Sequence, residues 1–426
     1  MLTLISPLFI VLLVLGVPIF LTMGVTSGIV FAVEGSLVPL AQKIIDELNS
    51  ATLLAVPYFV IAATFMERGG VAKALIDSVT AWMGRLHGGL GLVSITTCAI
   101  FAAMCGSSVA TAIAMGTILI PAMLRNGYQP AFAGGILASA GTLGILIPPS
   151  LAFVVYGVLA DASIPRLFLG GVIPGLLIAL LMGVYVYHFS RKHGYRQEEA
   201  VTLDYKIKKT ITALPALSVP VIVLGGLYGG FVTLTETAAL SAVVAIVLAL
   251  FVYRGVALKD FFKMMTFGVR SAAAIMIIIA MALAFGHLIV ETGIAQKVLD
   301  LMERWEVKPW QFLLFVNLIL IFLGMFLEVF SILLIMVPIV LPLLEPLGID
   351  PIHFGVMLVI NMELALMSPP VGLNLFVISN ISRIPLTQVL RGTMPFFGLM
   401  VIMLIVVTYV PVISTWLPDY MMGVAR

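Results

Sequence analysis

Gly141-Thr142-Leu143-Gly144-Ile145-Leu146-Ile147-Pro148-Pro149-Ser150 is echoed 221 residues later by Met362-Glu363-Leu364-Ala365-Leu366-Met367-Ser368-Pro369-Pro370-Val371. Each stretch interrupts a long apolar run with a Pro-Pro pair. Two prolines remove two backbone donors and keep the residues before them out of helical geometry. Carbonyl oxygens are thereby freed at membrane depth, where unwound backbone is tolerated only if it is buried in protein or lines a cavity. The match extends outward without a gap: Pro121, Gly127, Pro130 and Gly134 meet Pro342, Gly348, Pro351 and Gly355, and Gly171 and Pro174 meet Gly392 and Pro395. Eight of the fourteen Gly and Pro positions from 121 to 174 recur, where composition alone gives about one. Gly70-Val71-Ala72 and Gly293-Ile294-Ala295 form a weaker echo at a shift of 223.

The surroundings are those of a membrane protein. Of 426 residues, 62% are hydrophobic and 10% charged, against about a quarter charged in soluble domains. Apolar runs of 18 or more residues suit helices crossing a ~30 Å hydrocarbon layer, and runs of that length exclude a β-barrel. Nine full crossings are expected, near 4–33, 50–66, 131–157, 166–189, 212–233, 235–253, 268–290, 353–380 and 393–416. The first is too long for a signal-peptide core and should stay as a span. Regions 88–124 and 308–345 differ: each is about two helical arms, broken in the middle by polar residues.

Loop charge gives orientation. Segment 190–211 carries Arg191, Lys192, Arg196, Lys206, Lys208 and Lys209 against Glu198, Glu199 and Asp204, so it belongs in the cytoplasm. Acid-rich segments 34–49 and 291–306 then fall outside, with the N-terminus inside and the C-terminus outside. Gly134 and Gly355 are separated by an odd number of crossings, so the two copies face opposite ways. The first copy is expected over 1–190 and the second over 234–426, joined by 191–233. The fold class is thus an all-α polytopic membrane protein built as an inverted repeat, with hairpins at 88–124 and 308–345 and broken helices at 131–157 and 353–380.

Inverted repeats with paired breaks point to a secondary transporter whose site lies at the bilayer midplane. One break in each copy is a hairpin tip, Cys105-Gly106-Ser107-Ser108 and Glu328-Val329-Phe330-Ser331. Hydroxyl and carbonyl oxygens are hard ligands that suit Na⁺. The candidate sodium ligands are Ser107, Ser108, Gly141, Thr142, Gly144 and Pro148 in the first copy, with Glu328, Ser331, Met367, Ser368, Gly372 and Asn374 in the second. Each break also starts a half-helix whose positive end favours an anion, and Ser107 or Ser108 is the expected N-cap of the first. Substrate contacts are expected from Pro149, Ser150, Asn361, Glu363 and Pro370. A single Gly-Ser-Ser in a membrane helix is also a common packing feature; the weight here comes from four breaks in two related copies. Glu328 and Glu363 are costly at membrane depth and so functional or neutral structural acids. Glu236 reads equally as a helix cap.

Other chemistry finds little support. The five histidines make no metal spacing, no phosphate-binding loop occurs, and no basic domain suggests nucleic acid. Cys98 and Cys105 share a helix face as unbonded packing residues. Segments 36–49 and 256–266 are amphipathic, and we read them as interfacial arms.

Together, Gly106-Ser107-Ser108-Val109-Ala110, Gly127-Tyr128, Gly141 to Ser150, Thr235-Glu236 with Ala238-Ala239, and Pro369-Pro370-Val371-Gly372 resemble the large membrane subunit of TRAP (tripartite ATP-independent periplasmic) transporters. Leu234 stands where that family usually has Pro, and Cys105 where Ser is expected. The resemblance implies a sodium-driven symporter of a dicarboxylate, sialic acid or other sugar acid in the bacterial inner membrane. It further implies an elevator mechanism with two re-entrant hairpins, a small four-helix membrane subunit as partner, and a periplasmic binding protein that delivers the carboxylate. No helices for the small subunit are appended, as in the unfused arrangement. The rival readings are a channel and an autonomous sodium-coupled carboxylate or ion transporter. A membrane enzyme would need a catalytic constellation that is not seen.

Overall fold

The computed structural model describes residues 7–9, 11–13, 15–33, 37–195 and 201–423. Among these, all regular structure is helical. Four helices open the chain: α1 (Ile19–Val33), α2 (Val38–Leu48), α3 (Ala55–Arg68) and α4 (Val71–Met83). The first hairpin follows as α5 (Gly89–Cys105) and α6 (Ser108–Arg125), and the first broken helix as α7 (Pro130–Ala140), a 3-10 turn over Gly141–Ile145, and α8 (Leu151–Leu159). Long helices α9 (Ile164–His193), α10 (Leu203–Tyr228), α11 (Leu234–Val247) and α12 (Phe261–Glu291) lead to α13 (Ile294–Arg304). The second hairpin is α14 (Pro309–Gly324) with α15 (Val329–Leu344), and the second broken helix α16 (Pro351–Ala365) with α17 (Leu373–Ser382). Helices α18 (Leu386–Tyr409) and α19 (Val412–Met422) close the chain.

The repeat shows in the helix starts. Helices α6 and α15 begin at 108 and 329, and α7 and α16 at 130 and 351, each pair at the 221-residue shift. Matched prolines explain the second pair, since Pro130 and Pro351 stand in the first helical turn, where a missing N–H costs nothing. Asp350 completes the cap by accepting from the Ile352 and His353 amides at 2.6 and 3.1 Å. Matched glycines have two separate causes. Gly127 and Gly348 hold φ of +76° and +66° in open turns, a conformation that costs a side chain with Cβ. Gly171 and Gly392 instead permit close approach: a Cβ would lie 2.5 Å from the Leu146 carbonyl oxygen in the first case and 1.7 Å from that of Ala131 in the second.

The two copies interlock. Helix α6 of the first hairpin packs on α17 of the second broken helix, and α15 of the second hairpin on α8 of the first. Likewise α18 packs on α7 and α9 on α16. Outside this core, α3 lies against α11 and α12, and α10 against α4. Arg166 at the start of α9 pairs with Asp419 and donates to the Gly423 carbonyl, which fastens α19 to the first copy.

Several expected boundaries change. By length and composition, six helices are long and apolar enough to cross a membrane, one of them the hairpin arm Ser108–Arg125. The expected span 4–33 is not one helix, because the chain turns at Leu15-Gly16 with Gly16 at φ +74°. Pro18, which lacks a donor, precedes the helix. The span 393–416 is likewise interrupted before Pro411. Segment 256–266 is no separate arm: a 3-10 turn over Leu258–Asp260 runs directly into α12. Segment 36–49 does contain an amphipathic helix, α2. The 190–211 loop is shorter than expected, since α9 continues to His193 and α10 starts at Leu203. Glu34, Arg196, Glu198 and Glu199, used for orientation, lie outside the described residues. Cys98 and Cys105 are free and buried on α5, as expected. Glu236 forms a capping box with Thr233, which settles it as a helix cap.

Candidate transport site

The two hairpin tips use one local design. Ser107 caps α6, its Oγ accepting from the Ala110 amide at 3.4 Å, while Thr111 donates to the Ser107 carbonyl at 2.8 Å. Glu328, 221 residues on, holds the same N-cap position before α15 with extended backbone, and Ser331 donates to its Oε1 at 3.4 Å.

Each tip docks on the break of its own copy. The Leu151 amide donates to the Gly106 carbonyl at 3.4 Å, and the Val371 amide to that of Met325 at 3.3 Å. The contact requires glycine on the first side, since a Cβ on Gly144 would lie 2.5 Å from the Ser107 carbonyl oxygen and one on Gly141 2.8 Å from the Ala112 Cβ. Within the breaks, hydroxyls bond locally: Thr142 to the Ser139 carbonyl and Ser368 to that of Leu364, both at 2.8 Å. Ser150 caps α8 by accepting from the Phe153 amide and donates to the Ile145 carbonyl. Both Pro148-Pro149 and Pro369-Pro370 are cis, but the first pair is buried and the second exposed. Gly372, at φ +50°, starts α17, and Met367 is fully buried.

At the tips, one side chain links the two copies. The fully buried Asn374 donates to Ser108 Oγ at 2.8 Å and to the Ala138 carbonyl at 3.2 Å. Sequence spacing grouped Asn374 with the second tip; the interlocked packing of α17 on α6 puts its amide on the first.

Between the tips lies a cavity of about 220 Å³. Its wall combines Gly106 to Ala110 of the first tip, Glu328 to Phe330 of the second, Ile145 and Leu151 of one break, and Leu366 and Leu373 of the other. The N-terminal ends of α6, α8, α15 and α17 therefore border one space. Unsatisfied N–H groups there favour an anion, while the hydroxyls and carbonyls beside them suit a hard cation. Thr64 and Glu67 of α3 and Ser271 of α12 complete the wall. Sequence reasoning missed these three. Glu67-Arg68 reads as the charged end of a span, and nothing in a single sequence sets it opposite Glu328.

None of the five expected substrate contacts lines this cavity: Pro149, Ser150 and Pro370 stand in the breaks, and Asn361 and Glu363 lie within α16. Asn361 is fully buried and donates to the Asn317 side chain and carbonyl at 2.8 and 3.1 Å, with Asn317 donating onward to Thr408 at 3.1 Å. Glu363 is fully buried, and its carboxyl oxygens have no hydrogen-bond partner among the described residues. Neither borders the cavity between the tips. No group of three or more His, Cys, Asp or Glu able to hold a metal ion occurs among the described residues.

Residues 7–413 match the family described as the tripartite ATP-independent periplasmic transporter, DctM component. The chain belongs to this family. It is 40% identical to the C4-dicarboxylate TRAP transporter large permease protein DctM of Vibrio cholerae, over 97% of this chain and 96% of that protein. Identity to the sialic acid TRAP transporter large permease protein SiaM of the same organism is 33%, over 95% and 93%. Among solved structures, the YdaH transporter of Alcanivorax borkumensis shares the fold with a TM-score of 0.61 at 13% identity, covering 88% of this chain and 87% of that one. MtrF of Neisseria gonorrhoeae does so at 0.59 and 11%, covering 87% and 83%. As a TRAP large permease, the protein is a multi-pass membrane transporter and not an enzyme, and the two tips form its candidate transport site.

Proposed function

We propose that this TRAP permease takes up a small organic anion of the C4-dicarboxylate type together with Na⁺, the anion arriving from a periplasmic binding protein. A single observation carries the reading: four half-helix N-termini from two copies border one cavity that also holds Glu67 and Glu328. An anion entering beside two carboxyl groups needs cations with it, which couples the two fluxes. Relatives named for C4-dicarboxylates at 38–42% identity support the substrate class.

In this reading Na⁺ sits where each tip meets its break, held by carbonyl and hydroxyl oxygens of the Ser107-Ser108 and Glu328-to-Ser331 tips. The hairpins and broken helices then move as one body against α3, α10, α11 and α12, in the manner of an elevator. The protein lies in the inner membrane with its N-terminus cytoplasmic and its C-terminus periplasmic, and it works with a small membrane subunit.

Reconstitution tests the whole reading. The chain is placed in liposomes with an inward Na⁺ gradient and labelled succinate, with and without the small subunit and binding protein. Concentrative uptake is expected only with all parts and only with Na⁺. Robust uptake by the chain alone would instead establish an autonomous transporter, and single-channel currents would establish a channel.

A further inference from the structure

An apolar groove of about 680 Å³ opens between α5, α9 and Pro220 of α10. It follows α5 from Leu92 to Ala103 and α9 from His188 to Leu176. At 1.5 Å per residue that is about 17 Å, close to half the ~30 Å hydrocarbon layer. The groove is therefore one leaflet deep. A crossing helix from a partner subunit would need about twice that length, whereas a single acyl chain fits.

Met83 and His188 mark one end of the groove, and basic residues follow Met83 closely in the chain and pack on its neighbour Trp82. Arg85, two residues beyond Met83, lines a polar pocket of about 210 Å³ with Tyr205. Lys206 lies 5.2 Å over the Trp82 ring, and that half-exposed indole is fixed by donating to Thr210 at 2.9 Å. Tryptophan so placed marks the membrane–water boundary. The one acid lining the pocket, Asp77, already pairs with Lys209 at 2.7 Å.

The second copy supplies a contrast. A groove of about 610 Å³ between α13, α14 and α15 ends at exposed Trp305, which follows Trp82 by the 223-residue shift of the outer repeat. Its neighbours Asp300, Glu303 and Glu306 outnumber Arg304 and Lys308.

We infer that the groove beside the first hairpin is a lipid site, seating one acyl chain of an anionic phospholipid whose phosphate is taken by Arg85 and Lys206. Two basic groups near the surface give a preference of about thirtyfold over a zwitterionic headgroup. Native mass spectrometry of the full chain, titrated with phosphatidylglycerol or phosphatidylcholine, reads this directly. One phosphatidylglycerol should be retained about thirtyfold better, and Arg85→Gln with Lys206→Gln should erase the preference while leaving the melting temperature unchanged. Gly183→Leu, whose Cβ has room 3.7 Å from Leu92, should fill the groove and evict the lipid. Equal retention of the two lipids, or an unchanged preference in the double variant, overturns the proposal. So does cross-linking of a small-subunit helix to Thr96→Cys in the assembled complex, which would give the groove to a protein partner.

Discussion

Asn374→Leu is expected to lower Na⁺-driven uptake by at least about 100-fold while the protein still inserts and purifies in normal yield. The amide is the buried hydrogen-bonded link between the second broken helix and the first hairpin tip, through Ser108 and the Ala138 carbonyl. Leucine fills similar space but strands both partners without a donor, at roughly 1 to 3 kcal/mol each. About 2.7 kcal/mol on a rate-limiting step is already 100-fold. Helix packing elsewhere is untouched, so monodisperse protein by size-exclusion chromatography is the companion readout. Uptake within about threefold of wild type, under 1 kcal/mol on the same scale, would show that the tips work independently of this link.

The largest effect on stability is expected at Gly392. A Cβ there would lie 1.7 Å from the Ala131 carbonyl oxygen and 3.3 Å from the Gly135 Cα, both on α7. No flexible side chain stands in the way to yield; backbone must move. Gly392→Val should therefore separate α18 from α7, costing more than about 4 kcal/mol, the range reserved for steric failures of this kind. Loss of the monodisperse peak in detergent checks it. Gly398→Val on the same helix has nothing within 4 Å of its Cβ and should behave as wild type. Equal yields of the two variants would contradict the close approach of α7 and α18.

Much of the architecture was legible because backbone rules act locally. The Pro-Pro pairs, the N1 prolines at 130 and 351 and the turn glycines at 127 and 348 each dictate a break, a start or a turn wherever they occur. Their recurrence at one shift exposed the repeat. The glycines at 171 and 392 were visible as matches, but their reason, helix–helix contact, belongs to packing. Relations across the copies were hidden for the same cause. Nothing in the spacing of Asn374 points to Ser108, because the link depends on α17 crossing α6. Glu67 and Ser271 were missed because they enter the cavity from helices whose sequence looks like ordinary span. Asn361 stood out as a polar residue in an apolar run, yet its amide nitrogen donates to a second one, Asn317, away from the cavity.

In the proposed mechanism Na⁺ binds at both tips and so shapes the space between them. Hydrogen–deuterium exchange of the purified chain, compared in equal concentrations of NaCl and KCl, tests it without a need to know the substrate. Binding to the closed tips alone stabilises them by mass action, so Na⁺ should slow exchange at both 106–110 and 328–331 by about tenfold. Identical exchange of both tips in the two salts would contradict the account.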